Sequence, residues 1–169
     1  MIKVNFFAQQ HRKEPVKSDA IIGICDPEGE IPAYTTTEHG DDKWCATIDN
    51  SKHKEILFIA IDKNIDIRKL DGNQEKRCDG MIFVENTMEL SFVELKDYRV
   101  GGYITAAEKQ LRRTLEYFLA NHNYKEFHNR RAYACNPTHP HFAYSARQRI
   151  SRFYKSTHFR LMPQAYIKI

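Results

Sequence analysis

The stretch from Cys78 to Lys96 limits what this chain can fold into more than any other. Two runs, Cys78-Asp79-Gly80-Met81-Ile82-Phe83-Val84 and Met88-Glu89-Leu90-Ser91-Phe92-Val93-Glu94-Leu95-Lys96, are separated only by Glu85-Asn86-Thr87. Their apolar character and turn-sized spacing predict a hairpin. Side chains alternate faces along a strand, so Phe92, Glu94 and Lys96 share one side while Val93 and Leu95 take the other. Pairing carries Asp79, at the start of the first strand, towards Glu94 and Lys96, at the end of the second. A central strand seldom carries charge without a use.

The surrounding text is also rich in strands. Trp44-Cys45-Ala46-Thr47-Ile48 and Lys54-Glu55-Ile56-Leu57-Phe58-Ile59-Ala60-Ile61 flank the turn-like Asp49-Asn50-Ser51-Lys52 and predict another hairpin, its second member apolar enough for a central strand. Residues 1–43 are the least legible, with Ile21-Ile22-Gly23-Ile24 a short strand; Trp44 is expected to anchor the core. Downstream, Gly101-Gly102 breaks the chain, and Thr105-Ala106-Ala107-Glu108 matches a capping box, predicting a helix to about Asn121. Its buried stripe is Ile104, Ala107, Leu111, Leu115 and Phe118. Gln110, Thr114 and Tyr117 form a second line beside it, and Arg112 and Arg113 lie further round, partly exposed. Residues 131–136 read as a strand closed by Pro137. A second capping box, Ser145-Ala146-Arg147-Gln148, opens a helix packed through Ala146, Ile150 and Phe153, with Arg147, Arg149, Arg152 and Lys155 elsewhere on its surface. Residues 161–169 supply a last strand. This order predicts one α/β domain over residues 1–169, a mixed central sheet flanked by helices.

A chain of 169 residues, 41% hydrophobic and 28% charged, suits one globular core and excludes collagen-like or disordered classes. It has no apolar run of ~20 residues and its first residues lack a signal-peptide apolar region, so a cytoplasmic protein with no membrane partner is expected. Cys25, Cys45, Cys78 and Cys135 are widely spaced without a C-x-x-C pair, which argues for buried thiols against a zinc ribbon or disulfide framework. Charge is polarised along the chain: residues 1–99 hold 14 Lys+Arg against 19 Asp+Glu, and residues 100–169 hold 12 against 3. A fold uniting the halves sets an acidic cluster beside a cationic rail, as a polyanionic substrate requires. Basic residues decorating two solvated helices would give the same counts.

Phosphodiester hydrolysis needs an activated water, neutralisation of charge on the phosphate and help for the leaving oxygen, and a hard divalent cation assists all three. Magnesium prefers oxygen ligands and keeps several waters, so two carboxylates and a carbonyl are a fitting protein share. Asp79 and Glu94 would supply the carboxylates. Lys96 would orient or help deprotonate the water, or stabilise the transition state. Asp79, Glu94-Leu95-Lys96 and the following helix with Gln110 resemble the PD-(D/E)xK nuclease superfamily, restriction-endonuclease-like in fold, over roughly residues 77–136.

That resemblance implies a nuclease dependent on Mg2+, with Mn2+ as a substitute, acting on DNA more than RNA. It places Asp79, Glu94 and the Leu95 carbonyl on the metal, Lys96 at the water, and Gln110 on the helix beside them. An additional upstream acid is common in that superfamily; Asp62, Glu75 and Glu55 compete for it, and Glu75 is chosen. Arg112, Arg113, Arg147, Arg149, Arg152 and Lys155 would contact nucleic acid, and a homodimer would suit cutting both strands. Two positions depart from the pattern: Cys78 stands where the motif has proline, and Gln110 is followed four residues later by Thr114, not tyrosine. A non-catalytic nucleic-acid-binding or protein-interaction module on the same scaffold is the rival expectation. His139-Pro140-His141 and Asp26-Pro27-Glu28-Gly29 read as turns without a metal role.

Overall fold

The computed structural model describes residues 3–96, 102–138 and 147–169. Strands β1 (Ile21–Cys25), β2 (Tyr34–Thr36), β3 (Trp44–Asp49) and β9 (Tyr166–Lys168) form a sheet in the order β2-β1-β3-β9, antiparallel except where β9 runs parallel to β3. Strands β4 (Leu57–Ala60), β5 (Gly80–Val84), β6 (Glu89–Leu95), β7 (His128–Cys135) and β8 (Arg160–Met162) form a second sheet in chain order. Its first three strands are antiparallel and its last three parallel. Helix α1 (Tyr103–Asn121) carries the chain from β6 to β7, and α2 (Arg147–Thr157) precedes β8.

The five-stranded sheet is apolar on both faces, so each face must be covered. Met81, Phe83, Leu90 and Phe92 project towards Leu111, Leu115 and Phe118 of α1 and Phe153 of α2. Ile82, Val84, Val93 and Leu95 point the other way, against Ile22, Ile24, Ile48 and Ile167 of the first sheet. This corrects the expectation of one central sheet flanked by helices: both helices share one face, and a second sheet, two of whose four strands come from the least legible segment, covers the other. The β5–β6 hairpin and its alternation are as the sequence predicts, including Phe92 opposite in direction to Val93.

The hairpin expected across residues 44–61 does not form, because β3 and β4 belong to different sheets. Asn50 explains the parting. Fully buried, it donates through Nδ2 to the carbonyls of Asp19 and Lys54 and accepts from the Lys54 N–H through Oδ1, so the turn is locked into a corner between layers. β4 is an edge strand, not a central one; its four residues are buried because both faces are covered. Trp44 is no core anchor either. It is half-buried, stacks on His39 at 4.1 Å and lies over Gly23, where an added Cβ would fall 2.1 Å from the indole.

Helix α1 starts two residues before the expected cap. Gly102, at φ 98°, occupies the N-cap without a side-chain cap, a left-handed conformation that favours glycine. Thr105 and Glu108 are consequently inside the helix, where both accept from Arg149. Tyr103 takes a buried place and Ile104 only a half-buried one, while Thr114 and Tyr117 of the second line are buried. The expected last strand is two: β8 and β9 enter different sheets, parted by Pro163-Gln164-Ala165, where proline has no N–H for a ladder. Ser145 and Ala146 of the second capping box, and His139-Pro140-His141, lie outside the described residues.

Candidate active site

Asp79 immediately precedes β5, and Glu94 lies next to the last residue of β6. The register pairing Gly80 with Val93 and Met81 with Phe92 sets both carboxylates on the helix-covered face. Asp79 is 9% exposed and Glu94 fully buried. Asp79 Oδ2 accepts from the Leu95 N–H at 2.6 Å, across the hairpin. The Lys96 ammonium rests against Glu94 Oε1, yet among the described residues neither Glu94 oxygen accepts a well-directed hydrogen bond. Lys96 Nζ also donates to Gln110 Oε1 at 2.9 Å, and Gln110 Nε2 donates to the Arg77 carbonyl at 3.1 Å. Gln110 thus connects α1 to the residue group ahead of β5. The structure brings Asp79, Glu94, Lys96 and Gln110 together, as their spacing suggested.

Burial pushes the Asp79 carboxyl up to about 7, helped by the nearby Asp26 and Asp62 charges and opposed by the Leu95 N–H and Lys96. Burial, and then the Asp79 charge, drive Glu94 well above the usual carboxylate range, with Lys96 opposing. Asp26 follows β1 and Asp62 follows β4, so strand ends from both sheets converge here. Asp26 is itself raised by burial, with Lys63, at 3.9 Å, and Lys96 holding it back. Asp26 reaches the neighbourhood of Asp79 through the packing of one sheet on the other. Cys78 and Cys135 are fully buried with thiols pushed up by burial, which keeps them protonated and poorly nucleophilic.

Glu75 sits apart from this group. Arg113 Nε reaches its Oε2 at 3.0 Å, and the Tyr117 hydroxyl stands 3.5 Å from the same oxygen. Glu55 accepts from Asn86 beyond the opposite end of β4. Of the three competing upstream acids, Asp62 alone borders Asp79. Among the described residues no group of three or more His, Cys, Asp or Glu is placed to hold a metal. The carboxylates next to Lys96 and Gln110 are the Asp79–Glu94 pair. This pair fits a hard divalent ion: it offers two buried carboxyl groups that a cation would hold ionised, and among the described residues one of them has no directed donor on either oxygen.

The two departures from the resemblance meet in space. Thr114 Oγ1 accepts from the Cys78 N–H at 2.8 Å and donates to the Gln110 carbonyl at 3.0 Å. A proline at 78 would have no N–H to give, so cysteine there and threonine at 114 form one contact. Thr114→Val is expected to strand that buried N–H and cost about 1–3 kcal/mol. Thermal unfolding would show it as a lowered Tm, with Thr114→Ser close to the parent; a valine variant as stable as the parent would remove this contact from the account.

The basic residues divide into two sets. Arg112 pairs with Glu108 at 2.7 Å and lies over the Phe153 ring at 4.9 Å, while Arg149 bonds Thr105 at 2.9 Å and Glu108 at 3.0 Å. These join α1 to α2. Arg113 is engaged by Glu75 and Glu116. Arg147, Arg152 and Lys155 present an exposed basic face on α2. No described helix is long and apolar enough to cross a membrane. No family model, curated protein or solved structure matches the chain.

Proposed function

We propose that this protein is a divalent-metal-dependent phosphodiesterase of the PD-(D/E)xK, restriction-endonuclease-like kind, acting on nucleic acid and on DNA in preference to RNA. One observation carries the reading: Glu94, fully buried and, among the described residues, without a well-directed hydrogen bond to either oxygen, stands beside the buried Asp79 with Lys96 as its counter-charge. Burying a carboxylate in this state costs several kcal/mol unless something else is gained. Binding a cation is the gain that fits the donors.

Asp79, Glu94 and the Leu95 carbonyl would hold Mg2+, or Mn2+ in its place. When bound, the ion would supply charge neutralisation at the phosphate and a lowered pKa for water. Lys96, held by Gln110 and Glu94, would orient the attacking water and balance charge developing on the phosphoryl oxygens. Gln110 keeps that amine fixed by spanning it to the Arg77 carbonyl. The core on both sides of the hairpin makes the pair rigid, since Phe92 and Leu95 flank it on opposite faces.

The test is direct. Plasmid, single-stranded and duplex DNA, and RNA are incubated with protein and Mg2+, Mn2+ or EDTA. The expected result is cleavage of DNA with either cation and none in EDTA. Intact substrates under every cation would refute hydrolysis.

A further inference from the structure

A depression of about 430 Å³ lies where α2 meets β8, lined by Arg147, Ile150, Ser151, Tyr154 and Arg160, with no carboxylate among these described residues. Spacings of three and four set Arg147, Ile150, Ser151 and Tyr154 on one side of α2. Tyr154 keeps 47% of its surface exposed, Ile150 is half-buried against the core, and Arg160 is exposed. The depression therefore combines recessed apolar surface, an open aromatic ring and guanidinium groups.

The surrounding cations differ from Arg112, Arg113 and Arg149, which carboxylates engage. Among the described residues no carboxylate pairs with Arg131, Arg152, Lys155 or Arg160. Arg131 and Arg160 face each other in the register of β7 and β8, where like charges repel. Arg131 Nη1 donates to the Lys168 carbonyl at 2.9 Å, a neutral partner that leaves the repulsion in place. A polyanion would relieve it. A lipid surface fits less well, because the apolar surface here is recessed between cations instead of projecting from them. What enters such a depression is a flat ring with negative charge on either side, and an unpaired nucleobase has that form, whereas the bases of a duplex are stacked out of reach.

We propose that this depression takes one unpaired base of a DNA strand, stacked on Tyr154, while Arg160 meets a flanking phosphate and Arg152 and Lys155 add charge along α2. β8 lies two strands from β6, roughly 10 Å across the sheet, so the base held here belongs further along the strand than the bond at the carboxylates. The inference rests on the reading of DNA as the partner, and it deepens that reading by naming a strand with unpaired nucleotides as the substrate class.

The test measures anisotropy of fluorescein-labelled DNA in EDTA, so that nothing is cut, over a range of KCl. The parent is expected to hold a single strand more tightly than the matching duplex. Tyr154→Ala should weaken the single strand about tenfold and leave the duplex unchanged, with Tyr154→Phe close to the parent. Tyr154→Leu, which keeps bulk without the ring, should behave as the alanine variant does and gives a second reading if that variant does not fold. Arg160→Gln should weaken the single strand about 3–5-fold and lower the salt slope by roughly one phosphate contact. An abasic site walked along the strand should find one position that costs the parent affinity but adds nothing in Tyr154→Ala. Parent-like single-strand affinity in Tyr154→Ala or Tyr154→Leu overturns the proposal, as does an equal loss on the duplex, which would leave charge alone. A parent that binds no single strand, or that prefers phosphatidylserine vesicles or poly-glutamate to it, overturns it too. Cleavage by the parent in Mg2+ is scored separately: cutting with unaltered Tyr154→Ala binding sinks the base pocket alone, whereas the expected binding losses in a chain that never cuts sink hydrolysis alone.

Discussion

Glu94→Gln is expected to abolish metal-dependent cleavage while raising thermal stability at alkaline pH. Gln keeps the shape of the side chain but carries no charge, so it relieves both the desolvation of a fully buried carboxylate and its repulsion with Asp79. The same change removes one of the two carboxylates offered to a cation, and a loss of at least about 10³-fold in rate is expected, comparable with removing a principal electrostatic group from an active site. Stabilisation of about 1–3 kcal/mol would raise Tm by a few degrees for a chain of this size. It should shrink at acid pH, where Glu94 is protonated and already neutral. Lys96→Met provides the counterpart: it removes the counter-charge of Glu94, so cleavage is again lost but Tm at alkaline pH falls. Equal losses of activity with opposite shifts in stability are the mark of a site kept for function at a thermodynamic cost. Retained cleavage in Glu94→Gln, or a lower Tm than the parent at pH 8.5, would defeat this account.

The hairpin was legible because two local signals agreed, a period of two in the side chains and a turn-sized gap. Face assignment then followed without tertiary information, which is why Phe92, Glu94 and Lys96 emerge together as expected. Asn50 shows where local reading stops. The sequence around it contains an ordinary turn, yet its side chain bonds to Asp19, thirty-one positions earlier in the chain, as well as to Lys54. That long contact sits where the chain passes from β3 in one sheet to β4 in the other. Asp26 is similar: a residue after β1 borders Asp79 only because one sheet packs on the other. The capping box at Thr105 failed for a different reason, since Gly102 can adopt a positive φ and start α1 without a side-chain cap. Charge totals could not show that Arg112, Arg113 and Arg149 are engaged by carboxylates within the fold, while Arg147, Arg152 and Lys155 stay exposed on α2.

Stability should fall as pH rises towards neutrality, and a divalent cation should reverse the fall. Asp79 is pushed up to about 7 in the folded protein, against 3.8 for an unperturbed aspartate. Below 3.8 both folded and unfolded chains hold this proton, so the group contributes no slope. Between the two values the unfolded chain releases the proton and the folded one keeps it, so unfolding becomes easier by about 1.4 kcal/mol per pH unit. The cumulative loss approaches about 4 kcal/mol by neutral pH and levels off above it. Glu94, raised in the same direction, extends the fall to higher pH. Asp49 and Asp71, which are lowered, act with the opposite sign at acid pH, so the measurement must be a difference between parent and Asp79→Asn. Asn can still accept from the Leu95 N–H, and the variant should gain on the parent steadily from pH 4 to 7. A bound cation demands ionised carboxylates, so metal binding at pH 6 should release protons and tighten with pH until both Asp79 and Glu94 are ionised. Calorimetry in two buffers of different ionisation enthalpy counts those protons. A parent-minus-variant difference that stays flat from pH 4 to 8, or metal binding without proton release at pH 6, would mean that Asp79 is neither strained by burial nor poised for an ion.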